Sequence, residues 1–218
     1  MIAKILESKI KNCSIEIIRA LISDDSIYND ILFVRGEAYK NSVLYSKIFK
    51  SSYTDYDSYS ELYCLYINDE PMGTVTGTQA TSGKLDCEEY YPTVFLEKYR
   101  DIISSASKFA TLKYYSCEKI NGNRVAHLLL EAVWKDQINM GIRIDIVNVH
   151  EKMISYYRKL GYLLITDSFF LHPEFHTPSY VMFLSADESH PSYFQNLFSG
   201  LENQMTLDMV SNYIEYQK

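Results

Sequence analysis

The residues best placed to do chemistry stand in one stretch, Val147 to Tyr162, "VNVHEKMISYYRKLGY". The β-branched run Ile142, Ile144, Ile146, Val147 and Val149 predicts a strand that stops at His150. A charged helical turn follows, carries Tyr157, and ends on Gly161 and Tyr162. Histidine titrates near neutral pH, so a strand-end His150 suits proton transfer. Capping of the helix that follows suits it better still. Tyr157 either offers a hydroxyl proton or packs its helix against a sheet.

Other reactive side chains are scattered. Cys13, Cys64, Cys87 and Cys117 have no C-x-x-C spacing, and no disulfide framework is expected. Cys117 is either a nucleophile or a small buried residue, and the second fits better without an assured basic partner. His172 and His176 flank "PEF", but Pro173 breaks helical spacing and the sequence offers no third ligand nearby. A loop role and no metal are therefore expected. Trp134 reads as core or as helix-packing surface.

Several elements must position these groups. Residues 2–22 mix charges with Ile and Leu at helical spacing and predict an amphipathic helix, and 31–48 predicts a second despite Gly36. A polar loop (51–60) leads into "ELYCLYINDEPMGTVTGTQ", two strands joined by a turn at Asn68, Asp69, Glu70 and Pro71. A helix near 92–104 precedes the β-rich "KFATLKYYSC" (108–117). Residues 121–140 predict a helix whose stripe is Val125, Leu128, Leu129, Ala132 and Val133, stopped by Gly141. The strand 142–149, the helix 151–160 and strands near 162–170 and 179–185 follow, with a helical tail over 191–216. No repeat or long linker interrupts the chain, so one domain over 1–218 is expected, with N-terminal helices and a C-terminal helical tail.

Composition narrows the class. Lys and Arg total 21 against 28 Asp and Glu, a net charge of -7. That balance argues against nucleic acid or an anionic membrane as a partner. No apolar run reaches the length of a membrane span, and "MIAKILESKIKNC" lacks the uninterrupted apolar segment of a signal peptide. A cytoplasmic protein with reduced thiols is expected. The 20 Tyr suit half-buried strand positions or an amphipathic pocket, and the 8 Gly leave few for phosphate loops.

The element order together with "HEKMISYYRKLGY" resembles the GNAT N-acyltransferases. That resemblance implies an α/β fold with a mixed, mostly antiparallel sheet flanked by helices. It puts His150 where Asn is usual, Tyr157 at the catalytic-acid tyrosine and Gly161-Tyr162 at a Gly-Phe. "VRGEAYKNSVLYSKIFKSSYTDYDSYSELYCLYINDEPMGTVTG" is similar to the front half of N-acyl amino acid synthases, and more distantly of acyl-homoserine-lactone synthases. Arg35 and Tyr39 fit their helix, Asp55 and Asp57 their acidic loop, and Gly73-Thr74 their hairpin. "GKLDCEEYYP" and "FFLHPEFHTPSYVMFLSADESH" resemble two later motifs, so the likeness runs over roughly residues 30–198.

The resemblance implies transfer of a fatty acyl group from a thioester to an amine. Amides around Tyr115, Ser116 and Cys117 would hold the thioester oxygen, Tyr157 would protonate the leaving sulfur, and His150 would accept the amine proton. Asp57 and Lys113 would belong to a charged cluster near the acceptor. In the homoserine-lactone synthases that cluster includes an arginine where Thr76 stands here. It also has a strand glutamate and arginine that fall on Ala110 and Lys113, so a lactone product is not expected.

The phosphate loop departs as well. Asn121, Gly122, Asn123, Arg124, Val125 and Ala126 align with a pattern whose middle position is Gly, here Arg124. A side chain there crowds a pyrophosphate but could clamp the single phosphate of a phosphopantetheine arm. Acyl carrier protein is therefore expected as donor in preference to coenzyme A. Lys119, Arg124, Lys135, Lys152, Arg158 and Lys159 are expected near that helix end, to meet an acidic carrier. The acceptor is a free amino acid or a Lys or ornithine side chain on a biosynthetic peptide. From another class, a catalytically silent module that binds an acylated carrier or a partner protein fits the lost glycine and carboxylate.

Overall fold

The protein is described by a computed structural model over residues 2–10, 13–40, 51–112, 119–120, 123–165, 168–173 and 175–186. In chain order the strands are β1 (Ala3–Ile10), β2 (Cys13–Ala20), β3 (Glu61–Ile67), β4 (Glu70–Gln79), β5 (Ile103–Thr111), β6 (Lys119–Ile120), β7 (Asn123–Arg124), β8 (Ile144–His150), β9 (Leu163–Leu164), β10 (Phe170–Leu171) and β11 (Pro178–Ser185). The α-helices are α1 (Asp25–Tyr39), α2 (Thr93–Tyr99), α3 (Val125–Asn139) and α4 (Ile154–Lys159). Nine strands pair in the order β1-β2-β3-β4-β5-β8-β11-β10, with β9 on β11, while β6 and β7 form a separate two-stranded ribbon. β5 and β8 run parallel, whereas β1–β2, β2–β3, β3–β4 and the pairs made by β11 are antiparallel. A parallel pair needs a crossover, and α3 supplies it. The result is a mixed, mostly antiparallel open sheet flanked by helices, as expected. Among the described residues no helix is long and apolar enough to cross a membrane.

The contacts divide the chain into two compact units, Met1–Thr78 with Ala106–Asp136, and Gln79–Ser105 with Gln137–Lys218. In the first unit, α1 buries Ile27, Ile31, Val34 and Arg35 on one stripe, with Ile27 and Ile31 packed on Ala20, Leu62 and Cys64. The other core of this unit joins Ile15, Ile17, Tyr63, Leu65 and Val75 to Val125, Leu129, Ala132 and Val133 of α3. A Cβ at Gly73 would stand 3.2 Å from Leu129 Cδ2 and 3.3 Å from Thr111 Cγ2, so glycine lets α3 lie close on β4. In the second unit, Leu85, Tyr91, Phe95, Ile103, Ile144, Ile146, Val181 and Phe183 form the core.

The expected helix over 2–22 is instead the hairpin β1–β2. Its charges fall at helical intervals, but Ile5, Ile10, Ile15, Ile17 and Ile18 are β-branched and gain more on a pleated surface. Ile15 and Ile17 face the α3 core, while Ile18 and Ala20 face α1, so both faces of β2 are covered. The second helix begins earlier than expected, at Asp25, after a turn in which Asp24 accepts a hydrogen bond from the Leu21 amide. The expected loop 51–60 is a 3-10 helix (Ser51–Tyr59). The strand expected at 108–117 starts at Ile103, directly after α2 and a short 3-10 turn. The extension of the second helix over 41–48 and the helical tail over 191–216 lie outside the described residues.

Other expectations match. The β3–β4 hairpin turns through Asn68 and Asp69, both left-handed (φ 51° and 65°) as a two-residue hairpin turn requires. Asn68 also binds the Ser14 backbone through its own N–H and its Oδ1. α3 closes at Gly141 (φ 92°), where the Ile142 amide reaches back to the Gln137 carbonyl.

Candidate functional site

A buried charge cluster in the first unit is the most built feature among the expected site residues. α1 places Arg35 on its buried face, and the 3-10 helix after it delivers Asp57. Arg35 donates to Asp57 through Nη1 at 2.6 Å and Nη2 at 3.3 Å, a two-pronged contact. Its Nη2 also donates to Thr76 Oγ1 at 2.6 Å, and that hydroxyl in turn donates to Asp57 Oδ1 at 3.3 Å. Lys108 of β5 adds a second cation, its Nζ 3.1 Å from Asp57 Oδ1 and 5.7 Å from the Tyr56 ring centre. Tyr28 donates to Asp57 Oδ2 at 3.3 Å. Burial, and then the Asp57 charge, push the Tyr28 hydroxyl above its ordinary pKa, so it stays a donor. Arg35 and Asp57 are each 1% exposed. Charges that deep require partners, and here they supply one another.

Lys108 takes a left-handed backbone (φ 52°) in the middle of β5. Such a residue inside a strand marks a local break in the ladder that re-aims a side chain. Tyr39 Oη donates to the neighbouring Phe109 carbonyl at 3.1 Å, tying α1 to this part of β5. Sequence reasoning named Asp57 and aligned Thr76, but it missed Lys108 because β5 was read as starting there. A lone Lys among Ser, Ala and Phe in "SSASKFAT" was the available signal.

At the start of α3, Arg124 is exposed, as a phosphate contact requires. Val125 and Ala126 are buried in the core, so only their backbone amides remain for a ligand. Burial, then the Arg124 charge, lower the pKa of His127 on the first turn. Lys135 does not belong near this helix end. It lies ten residues farther on, about 15 Å at 1.5 Å per residue. Lys113, Tyr115, Ser116, Cys117, Asn121 and Gly122 lie outside the described residues, and for Asn123 and Lys119 only the backbone is described.

In the second unit, His150 ends β8 and caps the 3-10 turn behind it, its Nδ1 accepting from the Lys152 amide at 3.1 Å. A neutral imidazole has one acceptor nitrogen, so proton acceptance at Nδ1 would cost the cap. Tyr157 lies half-buried on α4, with ring centres 5.6 Å from Tyr156 and 5.1 Å from Tyr162, both edge-on. Gly161 ends that helix with φ 97°, and the Tyr162 amide bonds back to the Tyr157 carbonyl. Tyr162 Oη donates to Asp145 at 2.5 Å, and burial, then Asp145, raise its pKa well above the ordinary value.

No protein-family profile and no curated protein matches the sequence. Solved structures do. The N-acyl amino acid synthase FeeM, from uncultured soil microbes, superposes with a TM-score of 0.62 at 14% identity, over 78% of this chain and 89% of that one. An acyl-CoA N-acyltransferase from Pseudomonas aeruginosa gives 0.55 at 12%, over 79% and 100%. The CoA-dependent acyl-homoserine lactone synthase BjaI gives 0.55 at 11%, over 83% and 85%. The fold is that of the GNAT acyltransferases. On that GNAT framework, Asp57 and Thr76 of the expected cluster are in hydrogen-bond contact with each other and with Arg35 of the expected helix motif, and Tyr157 and Tyr162 are in ring contact.

Proposed function

We propose that this protein is an N-acyltransferase that moves a fatty acyl group from a phosphopantetheine thioester to an amine. The observation that carries the reading is the buried Arg35–Asp57–Lys108 cluster, on a fold shared with an N-acyl amino acid synthase. In the reaction the neutral amine attacks the thioester carbonyl carbon and the C–S bond breaks. An amide forms, and the proton lost by the amine is balanced by protonation of the thiolate. Tyr157 is assigned the proton donation to sulfur. Deprotonation of the amine is assigned to His150 or to water, with the His150 cap opening if the side chain acts itself. Backbone amides of Tyr115, Ser116 and Cys117 are assigned to the thioester oxygen.

The acceptor is an amine that also carries a carboxylate, a free amino acid. Arg35 and Lys108 set two cations against the one carboxylate of Asp57, and that excess positive charge favours an acceptor that carries a carboxylate. A Lys or ornithine side chain on a biosynthetic peptide is the other acceptor within this chemistry. Arg124, exposed at the start of α3, supports acyl carrier protein as donor over coenzyme A. Asn121, Gly122 and Asn123, with the Val125 and Ala126 amides, complete the proposed phosphate site.

The test is mass spectrometry of reactions containing acyl carrier protein or coenzyme A thioesters of one chain length and a pool of amino acids and peptides. An N-acyl product and free thiol in equal amounts are expected. Binding of the acylated carrier with no product from any amine would identify a silent module instead.

A further inference from the structure

Three side chains of the second unit converge on one another. Cys87 Sγ lies 3.6 Å from His172 Nε2 and 3.6 Å from Asp86 Oδ1. Donor atoms of Asp86, Cys87 and His172 all fall within 4.8 Å of one another. Cys87 is 3% exposed and His172 5%. We propose that Asp86, Cys87 and His172 form a binding site for a divalent transition metal of the zinc class.

The distances fit. Tetrahedral zinc with a sulfur at about 2.3 Å and a nitrogen or oxygen at about 2.0–2.1 Å puts the donors about 3.5–3.6 Å apart. Both edges that meet at Cys87 have that length, and the metal would draw the Asp86–His172 edge to about 3.3 Å. Asp86 and Cys87 lie in a turn, and their adjacent side chains converge. The left-handed backbone of Cys87 (φ 57°), sparsely populated by non-glycine residues, permits it.

The surroundings hold the donors in place. Asn148 of β8 donates to Asp86 Oδ2 at 3.2 Å, leaving Oδ1 toward the sulfur, which is the kind of outer contact that orients a metal carboxylate. His172 is pinned by its amide to the Thr177 carbonyl and by its carbonyl to the His176 amide, and its ring stacks on Phe175 at 4.3 Å. A thiolate–imidazole–carboxylate set selects zinc or cobalt over magnesium or calcium, which take oxygen donors. Nucleophilic use of Cys87 fits poorly, because burial and a carboxylate beside the sulfur both oppose a free thiolate. Three protein donors leave a fourth position for water or another ligand. Sequence distance hides the site, since His172 lies 85 residues from Cys87.

Cobalt(II) titration of the full chain, stripped with chelator under reducing conditions, tests this directly. The expected result is one cobalt per chain, with the intense near-ultraviolet thiolate-to-cobalt absorption and visible bands of tetrahedral strength, all displaced by zinc. Cys87→Ser should abolish the thiolate band, and Asn148→Ala should weaken binding roughly 10- to 100-fold. Where Cys87→Ser does not fold, as judged by circular dichroism, His172→Gln serves, with loss of tetrahedral binding expected. No thiolate band in the wild-type protein, or a band that persists in Cys87→Ser or binding that persists in His172→Gln, overturns the assignment. The two 3.6 Å contacts then belong to a neutral hydrogen-bonded relay. Neither acyl donor nor acceptor enters the assay, so its outcome is separate from that of the acyltransferase test.

Discussion

Asp57→Asn is the most informative single change in the first unit. The carboxylate binds two cations, Arg35 and Lys108, whose side chains are 1% and 5% exposed. Asparagine keeps the shape and removes the charge that both cations use. Breaking a buried ion pair from one side leaves uncompensated charge and costs about 3–5 kcal/mol, against a total stability of about 5–15 kcal/mol. Lys108→Met is the control, because the Arg35–Asp57 pair and its Thr76 link survive it, so its cost should be about 1 kcal/mol or less. In urea, with a slope of about 2–3 kcal/mol per molar, Asp57→Asn should lower the midpoint by roughly 1–2.5 M and Lys108→Met by under about 0.5 M. Equal losses in the two variants, or a loss below about 1 kcal/mol for Asp57→Asn, would refute the idea that Asp57 is the charge on which the cluster is built. On the proposed function, Lys108→Met should still lower acyl transfer, and that separation of activity from stability is the signature to seek.

Tyr157→Phe should lower turnover on the order of 100-fold with the fold intact if the hydroxyl protonates sulfur; near-wild-type turnover would leave Tyr157 a packing residue. Arg124→Ala should raise the KM for acyl carrier protein roughly tenfold and flatten its salt dependence, while a preference for acyl-coenzyme A that Arg124→Ala leaves unchanged would exclude the phosphate clamp. His127 titrates below its ordinary value in the folded chain, so as pH falls past about 6.5 the unfolded chain takes up the proton first. Its contribution to stability is therefore complete above that pH and shrinks as pH falls toward the lowered folded value. Denaturation at pH 7.5 and 5.5 should show a smaller difference in His127→Gln than in the wild type, and equal differences would contradict it.

Much of the frame is legible in the sequence where local and tertiary preferences agree. Asn68-Asp69 between two β-rich runs specifies the hairpin, and the stripe from Val125 to Val133, ended by Gly141, specifies α3. Gly161 after α4 is of the same kind. The first hairpin is not legible from charge spacing. β2 is covered on both faces, so the alternation that marks a half-buried strand is absent, and β-branching is the only local signal left. The site residues divide the same way. As proposed site residues, Asp57 and Tyr157 follow from ordered motifs, whereas Lys108 depends on where β5 begins. The Asp86–Cys87–His172 convergence depends on a left-handed residue and on loops that only the fold brings together.

The charges of the cluster also differ from the pattern that the resemblance implies. The resemblance to homoserine-lactone synthases implies an arginine at the position of Thr76 and a strand glutamate at that of Ala110. Against that pattern this chain has one charge of each sign fewer. Thr76 supplies a bridging hydroxyl, accepting from Arg35 and donating to Asp57, so the Arg35–Asp57 pair is held without a second arginine. Ala110 is buried without a charge to satisfy. Lys108 enters two residues earlier on the same strand, aimed by its left-handed backbone at the face of Asp57. A lysine presents a point charge where arginine presents a planar fork. On the proposed function, Lys108 would recognise the acceptor by a single charge contact, with looser geometric demands than two-pronged pairing. Replacing Lys108 by Arg tests that step, because a fork at the same place should sharpen acceptor preference, whereas a packing-only lysine would leave the acceptor profile unchanged.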